Sequence, residues 1–212
     1  MAKNLEFDKW ALNYDESISQ SLSEFPFIGY YDVLSEVRDI VSPQKGLMVI
    51  DVGIGTGLLS RKLAEDGCRI YGVDFSEEMI KKAKIKIPNG EFDLVDITAD
   101  HFGRFNSGKF DRVISSYCIH HLNDHQKVTF FQRTIENNLA QGGKIIIADI
   151  GFETESSFKK AREEYRDSWE GEEEGEYYIC GERMVGFLRN AGISVKYKQV
   201  SACAGILLYA SS

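Results

Sequence analysis

Basic residues are the minority charge in this chain: 25 lysines and arginines stand against 33 aspartates and glutamates, for a formal net charge of −8. That balance leaves no general basic footprint for a nucleic-acid backbone. No apolar run approaches the length of a membrane-spanning helix, and Met1 to Glu6 holds no apolar signal core. Neither nucleic acid nor membrane is therefore expected as a partner, and the cytoplasm is the expected location. Cys68, Cys118, Cys180 and Cys203 are far apart, with no Cys-x-x-Cys pair and no Cys/His ligand spacing. This excludes a disulfide framework and predicts reduced thiols, with Cys118 and Cys203 inside apolar strands and no metal centre. Internal repeats and low-complexity linkers are also missing, and 212 residues suit one domain with a sizeable core.

What is present begins with Val49-Ile50-Asp51-Val52-Gly53-Ile54-Gly55-Thr56-Gly57. An apolar strand runs into a glycine-rich turn that opens a helix. A second strand, Arg69 to Val73, is followed by Asp74. In open α/β sheets such a turn and acid hold a nucleoside cofactor: glycines let the backbone approach closely, and a carboxylate accepts from two ribose hydroxyls. A dinucleotide fingerprint starting at Gly53 needs a third glycine at position 58, where Leu58 stands. That substitution speaks against a nicotinamide enzyme.

Along the chain, residues 5–41 read as helical with a break near Phe25-Pro26-Phe27. Strands follow at about 47–52, 69–73, 91–95, 110–115 and 144–150. Helices are expected at 57–66, from the Ser76 N-cap to before Pro88, and at 124–139, closed by Gln141-Gly142-Gly143. The alternation predicts a parallel sheet with helices on both faces. Residues 155–170 read as a charged helix, 171–178 as an acidic loop and 182–190 as a helix. Strands 194–200 and 205–210 are joined too tightly for a helical crossover and must be antiparallel.

These motifs resemble the class I S-adenosylmethionine (SAM) dependent methyltransferases over about residues 5–210. Phe7 to Asp15 is similar to an F-x-x-W-A-x-x-Y-D opening, and Ser115 to Asp124 to an S-x-x-x-x-H-H-L-x-D segment, of the uncharacterised YrrT-like methyltransferases, related more broadly to the quinone-biosynthesis methyltransferases. The resemblance implies a Rossmann-like α/β fold with a mostly parallel seven-stranded sheet and a C-terminal antiparallel hairpin. It implies SAM as cofactor, held by Asp51, Gly53 and Gly55 around its methionine part and by Asp74 at the ribose. Phe75 and Met79 would line the adenine pocket, Asp96 and Ile97 would meet the adenine, and Ser115 would sit near the cofactor. Asn138-Leu139-Ala140-Gln141-Gly142-Gly143 matches the family's L-x-P-G-G turn, with Gln141 in place of proline. The whole chain is then one methyltransferase domain, with residues 1–45 as an N-terminal helical cap and 152–180 as a substrate-side lid.

His120 is the candidate catalytic group, as general base or hydrogen-bond donor, and Tyr14 is expected to cap the cofactor pocket. His121 has a packing role as its alternative, and His101 and His125 are expected at the surface. The acidic run Glu170 to Glu176 reads as a solvated loop, or else as a cover that prefers a neutral or cationic substrate. No N/D-P-P-Y motif follows the fourth strand, which with the acidic charge points to a small-molecule acceptor. A SAM-binding sensor without transfer activity would share the cofactor acids and stays open at this point. The oligomeric state cannot be read from the chain.

Overall fold

The computed structural model describes residues 18–211. Trp10, Tyr14 and the rest of the Phe7–Asp15 segment lie outside the described residues. Helix α1 (Tyr30–Val41) leads into β1 (Met48–Val52), α2 (Leu58–Glu65), β2 (Arg69–Asp74), α3 (Glu77–Lys86) and β3 (Glu91–Leu94). Then come β4 (Phe110–Ser116), a 3-10 turn (Ile119–His121), α4 (Asp124–Asn137), β5 (Leu139–Phe152), α5 (Glu155–Glu164), β6 (Ile179–Cys180), α6 (Gly181–Asn190), β7 (Lys196–Gln199) and β8 (Ala204–Ala210). The sheet order is β3-β2-β1-β4-β5-β8-β7, with β6 added beside β5. Strands β1 to β5 pair in parallel, and β8 is antiparallel to both β5 and β7. The expected hairpin is present, and the two-residue β6 is an addition that its shortness hid from sequence periodicity.

The central strands are apolar on both faces because both sheet faces are covered, whereas the edge strands β3 and β7 carry polar residues at exposed positions. Ile50, Val52, Val113, Ile145 and Ile147 face one way, against Phe130 and Phe131 of α4 and Leu188 of α6. Val49, Ile114, Ile146 and Ala148 face the other way, with Val33 and Val37 of α1, Leu59 and Leu63 of α2, and Ile80 of α3. Successive residues thus alternate between two cores, as a period of two requires. A third, aromatic cluster gathers Phe25, Phe152, Phe158, Tyr165 and Trp169 beyond the carboxyl end of β5.

Several expectations shift at element ends. Residues 21–29 form turns, so the helix ending at Val41 begins only at Tyr30. Helix α4 stops at Asn137, and Leu139 already pairs with Phe110. The cause is Asn138, whose side-chain amide donates to the carbonyls of Asn106 (2.9 Å) and Gly108 (3.1 Å) and draws the chain out of the helix. Helix α5 ends at Glu164 rather than near 170, because Tyr165 stacks on Phe25 at 4.7 Å and Trp169 stacks on Phe152 at 5.8 Å. Cys118 follows β4 and Cys203 precedes β8, so neither is inside a strand; all four cysteines are free thiols. His101 is not at the surface: it is buried, stacked on Phe102 at 4.0 Å, with Nε2 3.2 Å from the Thr134 hydroxyl. Burial lowers its pKa to about 4, so the ring stays neutral. Among the described residues no helix is long and apolar enough to cross a membrane.

Strand order reverses between β1 and β4, and the loops leaving those two strands diverge to opposite sides. Such a switch point opens a crevice at the carboxyl ends of the strands. Gly53, at the start of the β1 loop, has φ 73°. A Cβ there would run into the Cβ and Sγ of Cys118 in the β4 loop. Gly53→Ala should therefore lose about 2 kcal/mol or more of stability from left-handed strain and overpacking. Cys118→Ala should restore only part of it, since the Cys118 Cβ obstructs as well. Urea unfolding of the single and double variants measures both, and a single-variant loss under about 0.5 kcal/mol would mean that the two loops separate freely.

Candidate active site at the switch point

The glycine loop is fastened to β2. The N–H groups of Gly53 and Ile54 donate to the Val73 carbonyl at 2.8 and 3.0 Å, and the Gly55 N–H donates to Asp74 Oδ2 at 2.8 Å. Asp74 Oδ1 accepts from the Ser76 N–H at 2.9 Å, and the Ser76 hydroxyl caps α3 by accepting from the Met79 N–H. The Phe75 N–H also bonds this carboxylate, so three backbone donors converge on Asp74. Two adjoining cavities, of about 340 and 460 Å³, meet along Gly53, Asp74, Phe75, Cys118 and His121. The first is lined also by Gly55, Met79, Ser116, Tyr117, His120 and Glu176. The second reaches Val95, Asp96, Ile97, Asn123 and Gln126.

The structure therefore gathers Gly53, Gly55, Asp74, Phe75, Met79, Asp96, Ile97 and His120 around one pair of cavities. It sets Asp51 and Ser115 apart from the cavity walls. Asp51 is buried and accepts from the Ser60 hydroxyl at 2.6 Å, and the Ser115 hydroxyl donates to the Val52 carbonyl at 2.7 Å. Ser116 lines the cavity in place of Ser115. Asp96 folds back on its own turn, accepting from the N–H and hydroxyl of Thr98.

Sequence reasoning missed the group that organises His120. Asp149 is fully buried near the end of β5. Its Oδ1 lies 2.6 Å from His120 Nδ1, and its Oδ2 accepts from the backbone N–H groups of His120 (2.9 Å) and Cys118 (3.2 Å). Burial alone would raise the Asp149 pKa, but the His120 charge and hydrogen bond prevail and hold it below the usual carboxylate range. Burial works against the His120 cation, yet Asp149 and Glu176 together raise that pKa. Each partner thus favours the charged form of the other across the 2.6 Å contact.

Glu176 departs from the solvated loop expected for its run. Its carboxylate lies 3.3 Å from His120 Nε2 and 3.2 Å from His121 Nδ1. Tyr177 donates its N–H to the His120 carbonyl at 2.7 Å. Lys127, a fully buried lysine of α4, donates to the carbonyls of Leu122 and Tyr177, each at 2.6 Å. Burial lowers its pKa to about 8. Sequence spacing gave no metal-ligand group, but the loop closes His120, His121 and Glu176 into one, with ligand atoms within 4.8 Å of one another. The contributors are 55 positions apart in sequence, beyond the reach of any local motif.

Two polar groups in the first cavity, Ser116 Oγ and Tyr117 OH, are buried with no hydrogen-bond partner among the described residues. Tyr117 also has φ 53°, a left-handed backbone that a bulky residue rarely adopts. Strain and unsatisfied hydroxyls on a cavity wall are what a ligand contact resolves.

A family model for a methyltransferase domain matches residues 50–147. An uncharacterized methyltransferase of Geobacillus sp. strain WCH70 is 31% identical over 209 residues, covering 95% of this chain and 94% of the relative. Another, from Alkaliphilus oremlandii, is 34% identical over 158 residues, covering 72% of this chain and 69% of that one. Among solved structures, the DhpI–SAH complex superposes with a TM-score of 0.70 at 16% identity, over 96% of this chain and 92% of that one. The magnesium protoporphyrin IX methyltransferase of Synechocystis PCC 6803 with bound SAH gives 0.67 at 19%, over 99% and 100%.

The two acids of the glycine region carry a testable signature. Burial raises Asp51 to about 7 and Asp74 to about 6. An unfolded aspartate titrates near pH ~3.9, so between that value and about 7 folded Asp51 holds a proton that the unfolded chain releases. Stability from this residue is full at low pH and falls as pH rises through that window. Asp51→Asn keeps an oxygen for Ser60 and cannot ionise. The variant should match the parent near pH ~4 and exceed it by about 1 kcal/mol or more near pH ~8. Urea midpoints across pH measure the difference, and a gap that closes as pH rises would show Asp51 to be ionised throughout.

Proposed function

This chain belongs to the S-adenosylmethionine-dependent class I methyltransferase family, and we propose that it moves the methyl group of that cofactor to a small-molecule acceptor. Asp74 carries the reading: it is a buried carboxylate at the seam of two cavities, fixed by three backbone N–H groups at the end of β2, where it can accept from a ribose hydroxyl. Gly53 and Gly55 would pass the methionine part, with Asp51 supporting the loop from below. Phe75, Met79, Asp96 and Ile97 would hold the adenosine end. Gly55 has open space where a Cβ would stand, so its backbone is free to approach a ligand. When bound, the cofactor supplies an electrophilic methyl group on a sulfonium. The protein's part is to align the acceptor, exclude water and receive a proton.

In this reading His120 receives that proton at Nε2 while Asp149 holds Nδ1. The hydroxyl or thiol of the acceptor takes the place that Glu176 occupies beside Nε2. Ser116 and Tyr117 offer hydroxyls to orient it. The chain acts as one domain, with residues 1–45, Tyr14 among them, as a cap and 152–180 as the lid. The lid's aromatic anchor, Phe25 with Tyr165 and Trp169, ties it to the N-terminal segment. An acidic surface and the missing N/D-P-P-Y motif support a small molecule over nucleic acid as acceptor.

Two variants separate binding from chemistry. Asp74→Ala should weaken SAM by about 10- to 100-fold, the loss of a charge-assisted acceptor; calorimetry on a folded variant with unchanged affinity would remove the ribose assignment. His120→Ala should lower kcat on the true acceptor by about 100-fold or more while SAM affinity holds. Native turnover in that variant would leave catalysis to alignment alone.

A further inference from the structure

His120 and His121 present adjacent rings, 4.4 Å between centroids and inclined by 61°. The Glu176 carboxylate spans them, 3.3 Å from His120 Nε2 and 3.2 Å from His121 Nδ1. A tetrahedral zinc with bonds of about 2.0–2.1 Å spaces its ligand atoms about 3.3–3.4 Å apart. The two carboxylate contacts, His120 Nε2 to Oε2 and His121 Nδ1 to Oε1, are close to that spacing, and all the ligand atoms lie within 4.8 Å of one another. We propose that His120 Nε2, His121 Nδ1 and Glu176 form a binding site for one divalent metal ion of the zinc class.

Three further features fit a built site rather than a chance meeting of charged groups. Asp149 lies 2.6 Å from His120 Nδ1, which fixes the ring with Nε2 turned toward Glu176. A carboxylate on the far nitrogen is the usual support of a ligating imidazole, and it raises ligand basicity. The side chains are largely withdrawn from solvent, with 11, 22 and 10% exposure for His120, His121 and Glu176. All three line the first cavity, so a fourth position opens onto the space beside Ser116 and Tyr117. Two imidazoles and one carboxylate with an open position suit zinc or cobalt(II) rather than magnesium or calcium, which take mostly oxygen ligands. Binding stands apart from the proposed reaction. Its consequence rests on that reading: an ion on His120 Nε2 occupies the lone pair that the acceptor's proton needs, so the metal-loaded form would be silent.

The test uses the full chain, dialysed against chelator, with no cofactor or acceptor present. Zinc chloride is titrated by calorimetry and cobalt(II) by its visible ligand-field bands. One ion per chain is expected, with bands of a four- or five-coordinate ion. Glu176→Gln and His121→Ala should each weaken the ion at least tenfold, and Asp149→Asn by about 10- to 100-fold. The double variant Glu172→Gln, Glu173→Gln, in the exposed part of the acidic run, should leave affinity as it was. Near-UV circular dichroism selects variants that keep the fold, and the isosteric Glu176→Gln decides if His121→Ala does not. Saturation without a single stoichiometric ion, or affinity untouched by Glu176→Gln, would overturn the site. Loss of methyl transfer in Asp74→Ala leaves this result unaffected, so the two readings fail separately.

Discussion

The buried carboxylate of Asp149 is the constraint on which the site depends. It accepts from four N–H groups: Cys118, His120 and Ile150 of the backbone and the His120 ring. A carboxylate fully removed from water is tolerable only when its lone pairs are occupied and an opposite charge is near. Here both conditions are met by the turn that leaves β4. The turn cannot relax without stranding a charge, and breaking one partner of such a pair costs about 3–5 kcal/mol. The strained backbone of Tyr117 lies within the same turn, and Asp149 supplies the bonds that hold it.

The same residue type behaves oppositely on the glycine side of the crevice. Asp51 and Asp74 are also buried, but burial dominates and raises both. Asp149 has the His120 ring hydrogen-bonded to it; Asp51 and Asp74 accept from hydroxyl and backbone donors. The glycine side of the crevice thus holds carboxylates whose ionisation a cationic ligand would favour, while Asp149 on the β5 side already has His120 as its partner. A cofactor carrying a sulfonium and an ammonium group suits that asymmetry, with charge satisfied by the ligand on one side and by the protein on the other.

Much of the fold was legible because it rests on local patterns. Apolar runs of five to seven residues, glycines at loop starts and the Ser76 cap are short-range signals, and β1, β2, α3 and the final hairpin fall where those signals place them. Asp74 was legible for the same reason, being the first acid after an apolar strand. Asp149 was not, since it sits inside an apolar run and its partner lies 29 positions earlier. Lys127 reads as one more polar residue of an amphipathic helix, yet its ammonium is wrapped by carbonyls from two loops. Glu176 is one of several glutamates in its run, and nothing in the sequence tells which of them turns inward. Asn138 shows the limit at element ends: helix propensity favours continuation, and carbonyls of a distant loop end it. His101 fails the other way, because a polar residue beside Asp100 resembles a surface position until Phe102 and Phe130 enclose it.

Asp149, Lys127 and Glu176 form one connected device around His120. Lys127 and the His120 carbonyl fix Tyr177, and the next residue back is Glu176, which faces both histidine rings. Segment 171–178 therefore cannot move away without taking the carboxylate from His120. The Lys127 ammonium would then keep the Leu122 carbonyl, Asp124 at 3.7 Å and the more distant Asp149 as compensation. An ammonium in a buried setting resists such a loss, so closed and withdrawn positions of the segment differ in discrete contacts rather than by continuous drift. Whatever occupies His120 Nε2, whether Glu176, an acceptor proton or an ion, is thus coupled through two hydrogen bonds to where this loop sits. The state of the histidine and the position of the loop form a single physical variable.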